Sequence, residues 1–141
     1  MNQQELKDAA LKILNDSHVG VLATITENKP HSRYMTFFNK DFTLYTATSK
    51  KTQKVDELEQ NPHAHILLGY EGEGIGDTFL EIEGEMSEHD DRSILEDLWN
   101  DHLSGWFSGP DDPNLLIIAI KPTRMRLMNK KGQEPQNIEL Q

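Results

Sequence analysis

The sequence predicts a mainly β chain with helices (α+β), in which a small antiparallel barrel or strongly curled sheet carries helices at its ends. Three observations predict it. Short segments rich in β-branched and aromatic residues follow one another across tight turns, which favours antiparallel pairing. Thr78 to Ser87 alternates, with Thr78, Leu80, Ile82, Gly84 and Met86 on one face and Phe79, Glu81, Glu83 and Glu85 on the other. That is the pattern of a strand with one side buried and one in water. The opening segment instead has a helical period: Leu6, Ala9, Ala10, Ile13 and Leu14 recur three and four residues apart.

The elements follow in order. A helix is predicted over Gln3–Leu14. Val19–Thr26 reads as the first strand, Glu27–Pro30 as a turn and His31–Phe38 as the second strand. Asn39–Asp41 connects it to a third, Phe42–Thr48, which is expected to form a hairpin with the second. A helix from about Thr52 to Gln60 is stopped by Asn61-Pro62, since a residue before proline avoids helical backbone angles. His63–Tyr70 is the fourth strand, Glu71–Asp77 a glycine-rich loop and Thr78–Ser87 the fifth strand. Asp90 or Asp91 caps a helix to about Trp99. Gly105–Pro113 is a loop. Leu115–Ile120 is a buried strand that Pro122 interrupts, with pairing expected to resume through Arg124–Met128. Residues 1–130 are read as one domain and 131–141 as a loose polar tail.

At 141 residues the chain can bury one core without covalent staples. It has no cysteine, which excludes disulfides, thiolate metal sites and cysteine nucleophiles and suits a reducing, cytoplasmic setting. No basic start leads into an apolar core at the N-terminus, so no secretory signal is expected. The longest apolar run, Leu115–Ile120, is far short of the ~20 residues of a membrane span. A net charge of −10 disfavours nucleic acid as a partner and makes any lysine cluster informative.

Such a cluster stands at Thr46-Ala47-Thr48-Ser49-Lys50-Lys51-Thr52-Gln53-Lys54, where a strand gives way to a helix. The first turn of a helix offers unpaired N–H groups and the positive end of its dipole, a ready anion site. Thr48, Ser49 and Thr52 add hydroxyls; Lys50, Lys51 and Lys54 add charge. The same residues also suit an ordinary capped helix with solvated lysines. Arg33, on the predicted neighbouring strand, could reach the same phosphate as a bidentate donor or pair with a surface acid. His63 and His65 share one strand face, which is a weak metal signal without a third ligand, and no metal site is assigned. Glu81, Glu83 and Glu85 read as a solvated face, and no side chain stands out as catalytic.

Ser32-Arg33-Tyr34-Met35, Leu44-Tyr45-Thr46 and Thr48-Ser49-Lys50-Lys51-Thr52-Gln53-Lys54-Val55, in that order, resemble the pyridoxamine-phosphate-oxidase-like FMN-binding split barrels, and among them the bacterial general stress protein 26 group. Val19–Thr24, Asn61-Pro62 and Trp106-Phe107 before Gly109–Pro113 match as well, so the resemblance spans roughly residues 5 to 128. It implies a six-stranded split β-barrel that forms a homodimer with flavin mononucleotide (FMN) between the protomers. Carried over by position, Arg33, Ser49, Lys50, Lys51, Thr52 and Lys54 would hold the phosphate. Tyr34, Met35 and Thr36 would run beside the isoalloxazine, Thr46 and Thr48 beside the ribityl chain, and Trp106 would pack on the ring from the partner. The adenylated form, FAD, is also admitted. Arg124–Asn129 has no aromatic residue to stack on the flavin, and the C-terminus lacks a substrate-phosphate motif. Oxidation of vitamin B6 phosphates is therefore not implied. A flavin-dependent oxidoreductase is expected, with a non-catalytic flavin-binding stress, storage or sensor protein as the alternative.

Overall fold

The computed structural model describes residues 2–49, 60–72, 77–89, 94, 112–129 and 133–140. They contain helix α1 (Gln3–Asp16) and strands β1 (Val19–Thr26), β2 (Lys29–Thr36), β3 (Phe38–Lys40), β4 (Thr43–Ser49), β5 (His63–Leu68), β6 (Phe79–His89), β7 (Leu115–Met128) and β8 (Gln136–Ile138). The predicted helices near 52–60 and 90–99 and the loop at 105–113 fall almost wholly outside the described residues.

Helix α1 begins with a capping box. The Asn2 side chain accepts from the Glu5 N–H at 2.8 Å while Glu5 reaches back to Asn2. Its buried stripe, Leu6, Ala10 and Leu14, packs into the core.

The strands form one curled antiparallel sheet in the order β2-β1-β5-β6-β7-β4-β3, with β8 paired to β7. This is the mainly β split barrel that the sequence predicts, with eight strands among the described residues in place of the six expected. Two local events account for the difference. The predicted strand His31–Phe38 divides at Phe37. Its N–H donates to the His18 carbonyl at 2.6 Å, one step past the Val19–Thr36 pair, its ring is buried in the core, and from Phe38 onward the chain pairs with β4 instead. The hairpin expected between the second and third strands is therefore confined to Phe38–Lys40 against Thr43–Tyr45, and β2 pairs with β1 along its whole length. The predicted loose tail contains β8, which pairs Gln136–Ile138 against Met125–Leu127 and buries Ile138. The Gln3 side chain extends that pairing, donating to the Asn137 carbonyl at 3.1 Å and accepting from the Glu139 N–H at 2.8 Å.

Pro122 does not interrupt β7. The register with β6 shifts between Glu83 and Gly84, so that Thr123 is an extra residue opposite the partner strand. The bulge accommodates a proline that cannot donate to the ladder. The Thr123 hydroxyl donates to the Glu83 carbonyl at 3.2 Å.

The sheet alternates as β6 predicts: Leu80, Ile82, Gly84 and Met86 are buried and Glu81, Glu83 and Glu85 are not. Inside the curl, Leu22, Leu44, Ile66, Ile82, Ile120 and Met125 make the main core with α1. A second, smaller cluster of Tyr45, Leu115 and Ile117 lies on the other face of β4 and β7, against Ile94.

Candidate functional site

The wall of the barrel has a seam. β2 ladders with β1, and Thr46–Ser49 of β4 ladder with β7. Among the described residues no ladder joins β2 to Thr46–Ser49, because the switch at Phe37 sends β2 one way and β3 the other. The curl still brings the two together: the Thr46 hydroxyl donates to the Thr36 carbonyl across the gap at 2.8 Å. Thr46 is fully buried, so this bond sits at the floor of the seam.

Arg33 lies on one lip. It pairs with Leu22 of β1 and shares that residue's inward side, so its guanidinium turns toward the barrel interior. Nη1 donates to the Thr24 hydroxyl at 2.8 Å and lies 3.3 Å from the Leu22 carbonyl and 3.4 Å from that of His31. The side chain is half-buried. Tyr34 alternates to the outer face, where it is 79% exposed, and Met35 packs half-buried against the core. On the other lip, Thr48 is buried in line with Thr46, and Ser49 ends the strand half-buried.

Of the described candidates, Arg33, Tyr34, Met35 and Thr36 lie on β2 and Thr46, Thr48 and Ser49 on β4, and the two strands meet at the Thr46–Thr36 hydrogen bond. The sequence reading put Arg33 beside β4 through a hairpin; the structure pairs Arg33 with β1 instead, and β2 meets β4 through the Thr46–Thr36 hydrogen bond. Lys50, Lys51, Thr52, Lys54 and Trp106 lie outside the described residues. Thr24 was missed. The signal for it was its phase: it continues the inward series Gly20, Leu22, where an apolar residue is the rule, and a buried hydroxyl needs a partner.

Outside the Tyr34 lip is a shallow apolar groove of about 350 Å³, lined by Val19, Val21, Tyr34, Leu67, Tyr70 and Phe79. Tyr70 and Phe79 meet edge to face with centroids 5.8 Å apart. Val19 is 64% and Tyr70 62% exposed, so the patch is apolar surface left in water.

A model of the pyridoxamine 5'-phosphate oxidase family matches residues 6–129. The chain belongs to that family. It is 47% identical to general stress protein 26 of Bacillus subtilis (strain 168) over 140 residues, covering 99% of this chain and all of that one. The crystal structure of general stress protein 26 from Bacillus anthracis superposes with a TM-score of 0.86 at 34% identity, covering 96% of this chain and 99% of the other. An FAD-binding protein of Mesorhizobium loti shares the fold, with a TM-score of 0.70 at 19% identity and 89% and 92% of the two chains covered.

In this family member the outer side of β5, β6 and β7 is a charged face, distinct from the seam. Glu81 accepts from Arg126, by Nε at 3.1 Å and by Nη2, and lies 3.6 Å from His65 Nε2. The hydrogen bond from Arg126 holds the Glu81 carboxyl below its usual range, aided by the charges of Arg126 and His65 and opposed by partial burial. His63 and His65 stand opposite Glu85 and Glu83 in the register. Among the described residues no helix is long and apolar enough to cross a membrane.

Proposed function

We propose that this pyridoxamine 5'-phosphate oxidase family member holds FMN in the seam between β2 and β4 and works as a flavin-dependent oxidoreductase. The observation that carries the reading is the seam itself, with a half-buried guanidinium on one lip and strand-end hydroxyls on the other. The donor chemistry fits a phosphate: Arg33 offers a planar fork, and Thr48 and Ser49 offer hydroxyls. Lys50, Lys51, Thr52 and Lys54 follow directly in sequence and supply the charge a dianion needs in a chain of net charge −10. Family membership and an FAD-binding relative of the same fold support a flavin.

When bound, the flavin supplies electron or hydride transfer; the protein's part is binding, orientation and electrostatics. The Arg33 and Ser49 lips fix the phosphate end, and the Thr46–Thr36 bond sets how deep the cofactor can sink. The groove beside Tyr34 suits a second copy of the chain, which would bury the apolar patch and cover the outer side of the ring. A homodimer is the expected assembly, with Trp106 reaching the ring from the partner. A cytoplasmic setting suits the cysteine-free chain.

One observation favours a second reading, a flavin-binding stress, storage or sensor protein without catalysis: Arg33–Thr36 and Thr46–Ser49 include no carboxylate or imidazole to move a proton.

Two measurements test the proposal. Apoprotein titrated with FMN should regain the visible flavin spectrum and bind FMN more tightly than riboflavin. Failure to bind either at micromolar concentration would sink the flavin reading. Anaerobic addition of NADH or NADPH should bleach the bound flavin; no bleaching with either donor moves the case to the non-catalytic reading. Titration with FAD decides between the two cofactor forms.

A further inference from the structure

Thr24 occupies an inward position on β1, between the apolar Leu22 and the start of the Glu27–Asn28 turn, and is only 3% exposed. A buried hydroxyl there costs free energy unless it is hydrogen-bonded. Its oxygen accepts from Arg33 Nη1 at 2.8 Å, closer than the Leu22 and His31 carbonyls at 3.3 and 3.4 Å. The guanidinium is planar, so fixing Nη1 from inside the wall sets the plane and thereby the direction of Nε and Nη2.

We propose that Thr24 is a positioning residue: its hydroxyl orients Arg33 so that the guanidinium presents its fork to an anionic phosphate entering the seam. The inference rests on the proposed phosphate role of Arg33. An arginine on an edge strand has many rotamers, and each that must be frozen on binding weakens the complex. A tether already made in the apoprotein removes part of that loss. Thr24 does this without carrying charge, so it does not compete with the phosphate for the guanidinium as a carboxylate would. Val21 and Ala23, on the outer face of β1, cannot serve in this way.

The test compares Thr24→Val, Thr24→Ser and Arg33→Gln apoproteins by titration with FMN and with riboflavin, alongside their thermal midpoints. Thr24→Val keeps the shape and deletes the acceptor. It should weaken FMN about five- to tenfold, leave riboflavin within about twofold, and lower the apoprotein's thermal midpoint only modestly, because the half-buried guanidinium can turn to water. Thr24→Ser should restore the preference for FMN over riboflavin. If Thr24→Val and the parent show the same FMN-to-riboflavin ratio while Arg33→Gln loses it, Thr24 is core filling and the inference is overturned. If Arg33→Gln itself leaves the ratio unchanged, the phosphate role of Arg33 fails instead. Should the valine variant not fold, Thr24→Ala reads the same loss of the hydroxyl, with the same two outcomes.

Discussion

Thr46→Val tests whether the bond across the seam holds the barrel's two lips together. The substitution preserves shape and removes one donor. In the parent the Thr46 hydroxyl donates to the Thr36 carbonyl at 2.8 Å from a fully buried site. A neutral hydrogen bond contributes about 1 kcal/mol net, and an orphaned buried partner can raise the loss toward ~3 kcal/mol. Thr36 is only half-buried, so its carbonyl can recruit water once the bond is gone. The lower figure, about 1 kcal/mol, is therefore expected, or roughly 4 °C in the thermal midpoint of a chain this size. Stability alone does not isolate the cause, because Thr46→Ser keeps the bond but loses a buried methyl worth a similar ~1 kcal/mol. Amide exchange does. Thr46→Val should lower protection along β2 more than along the central strand β6, and should weaken FMN and riboflavin alike, since it alters the seam and not the phosphate contacts. Thr46→Ser should leave β2 as protected as its global stability allows. Equal exchange changes in β2 and β6 for the valine variant, or a β2 loosened just as much by serine, would refute the reasoning.

Three further outcomes follow from the packing. Gly20→Ala places a Cβ 2.5 Å from the Leu67 carbonyl oxygen and 2.9 Å from Leu68 Cδ1. Backbone cannot yield as a side-chain tip can, so a loss of about 2–3 kcal/mol is expected in urea unfolding, and a change under ~0.5 kcal/mol would contradict the close β1–β5 approach. Thr26→Val removes a hydroxyl whose oxygen is buried without a hydrogen-bond partner among the described residues, and should raise stability by about 1 kcal/mol; a loss would mean that the oxygen is satisfied in solution. Glu81→Gln addresses acid stability. Because the folded state holds this carboxyl below its ordinary value of 4.5, its contribution is present above that pH and is lost as pH falls through the lower folded value. The variant should be less stable than the parent at neutral pH, with the difference shrinking below about pH 4.5; a gap that stays constant down to strongly acid pH would show that the Arg126 pairing is not its source.

What the sequence made legible was local. The period of Leu6, Ala10 and Leu14 marks α1, and the alternation of β6 assigns its two faces, because each depends on residues a few positions apart. What it concealed was a change of partner. His31–Phe38 looks continuous because β-formers run through it and neither glycine nor proline breaks it. At Phe37 the ring is buried in the core and the pairing partner changes from β1 to β4, and these are contacts that no local pattern records. The same holds for β8, where polar residues beside a single buried isoleucine read as a tail until β7 is seen to pair with them. For the site, Arg33, Thr48 and Ser49 were legible as donor types, but the gap between them is a product of sheet curvature. Thr24 needed the inward phase of β1 to be read for an exception as well as for a rule.

The two hydrogen bonds that link the Gln3 side chain to Asn137 in β8 and to Glu139 just beyond it have a topological consequence. They hold the first turn of α1 against the last strand, so the two extremities of the described fold are neighbours in space although 136 positions apart in the chain. Covalent order and spatial order are thus nearly cyclic. A permuted gene that joins residue 140 to residue 2 by a short flexible linker and opens the chain at the two-residue turn Glu27–Asn28 would keep every ladder of the sheet. Only the β1–β2 hairpin would change from a local to a distant pairing. The new termini would emerge at that turn, moving the point of attachment for a label or fusion partner to the opposite end of β1 without touching either lip of the seam.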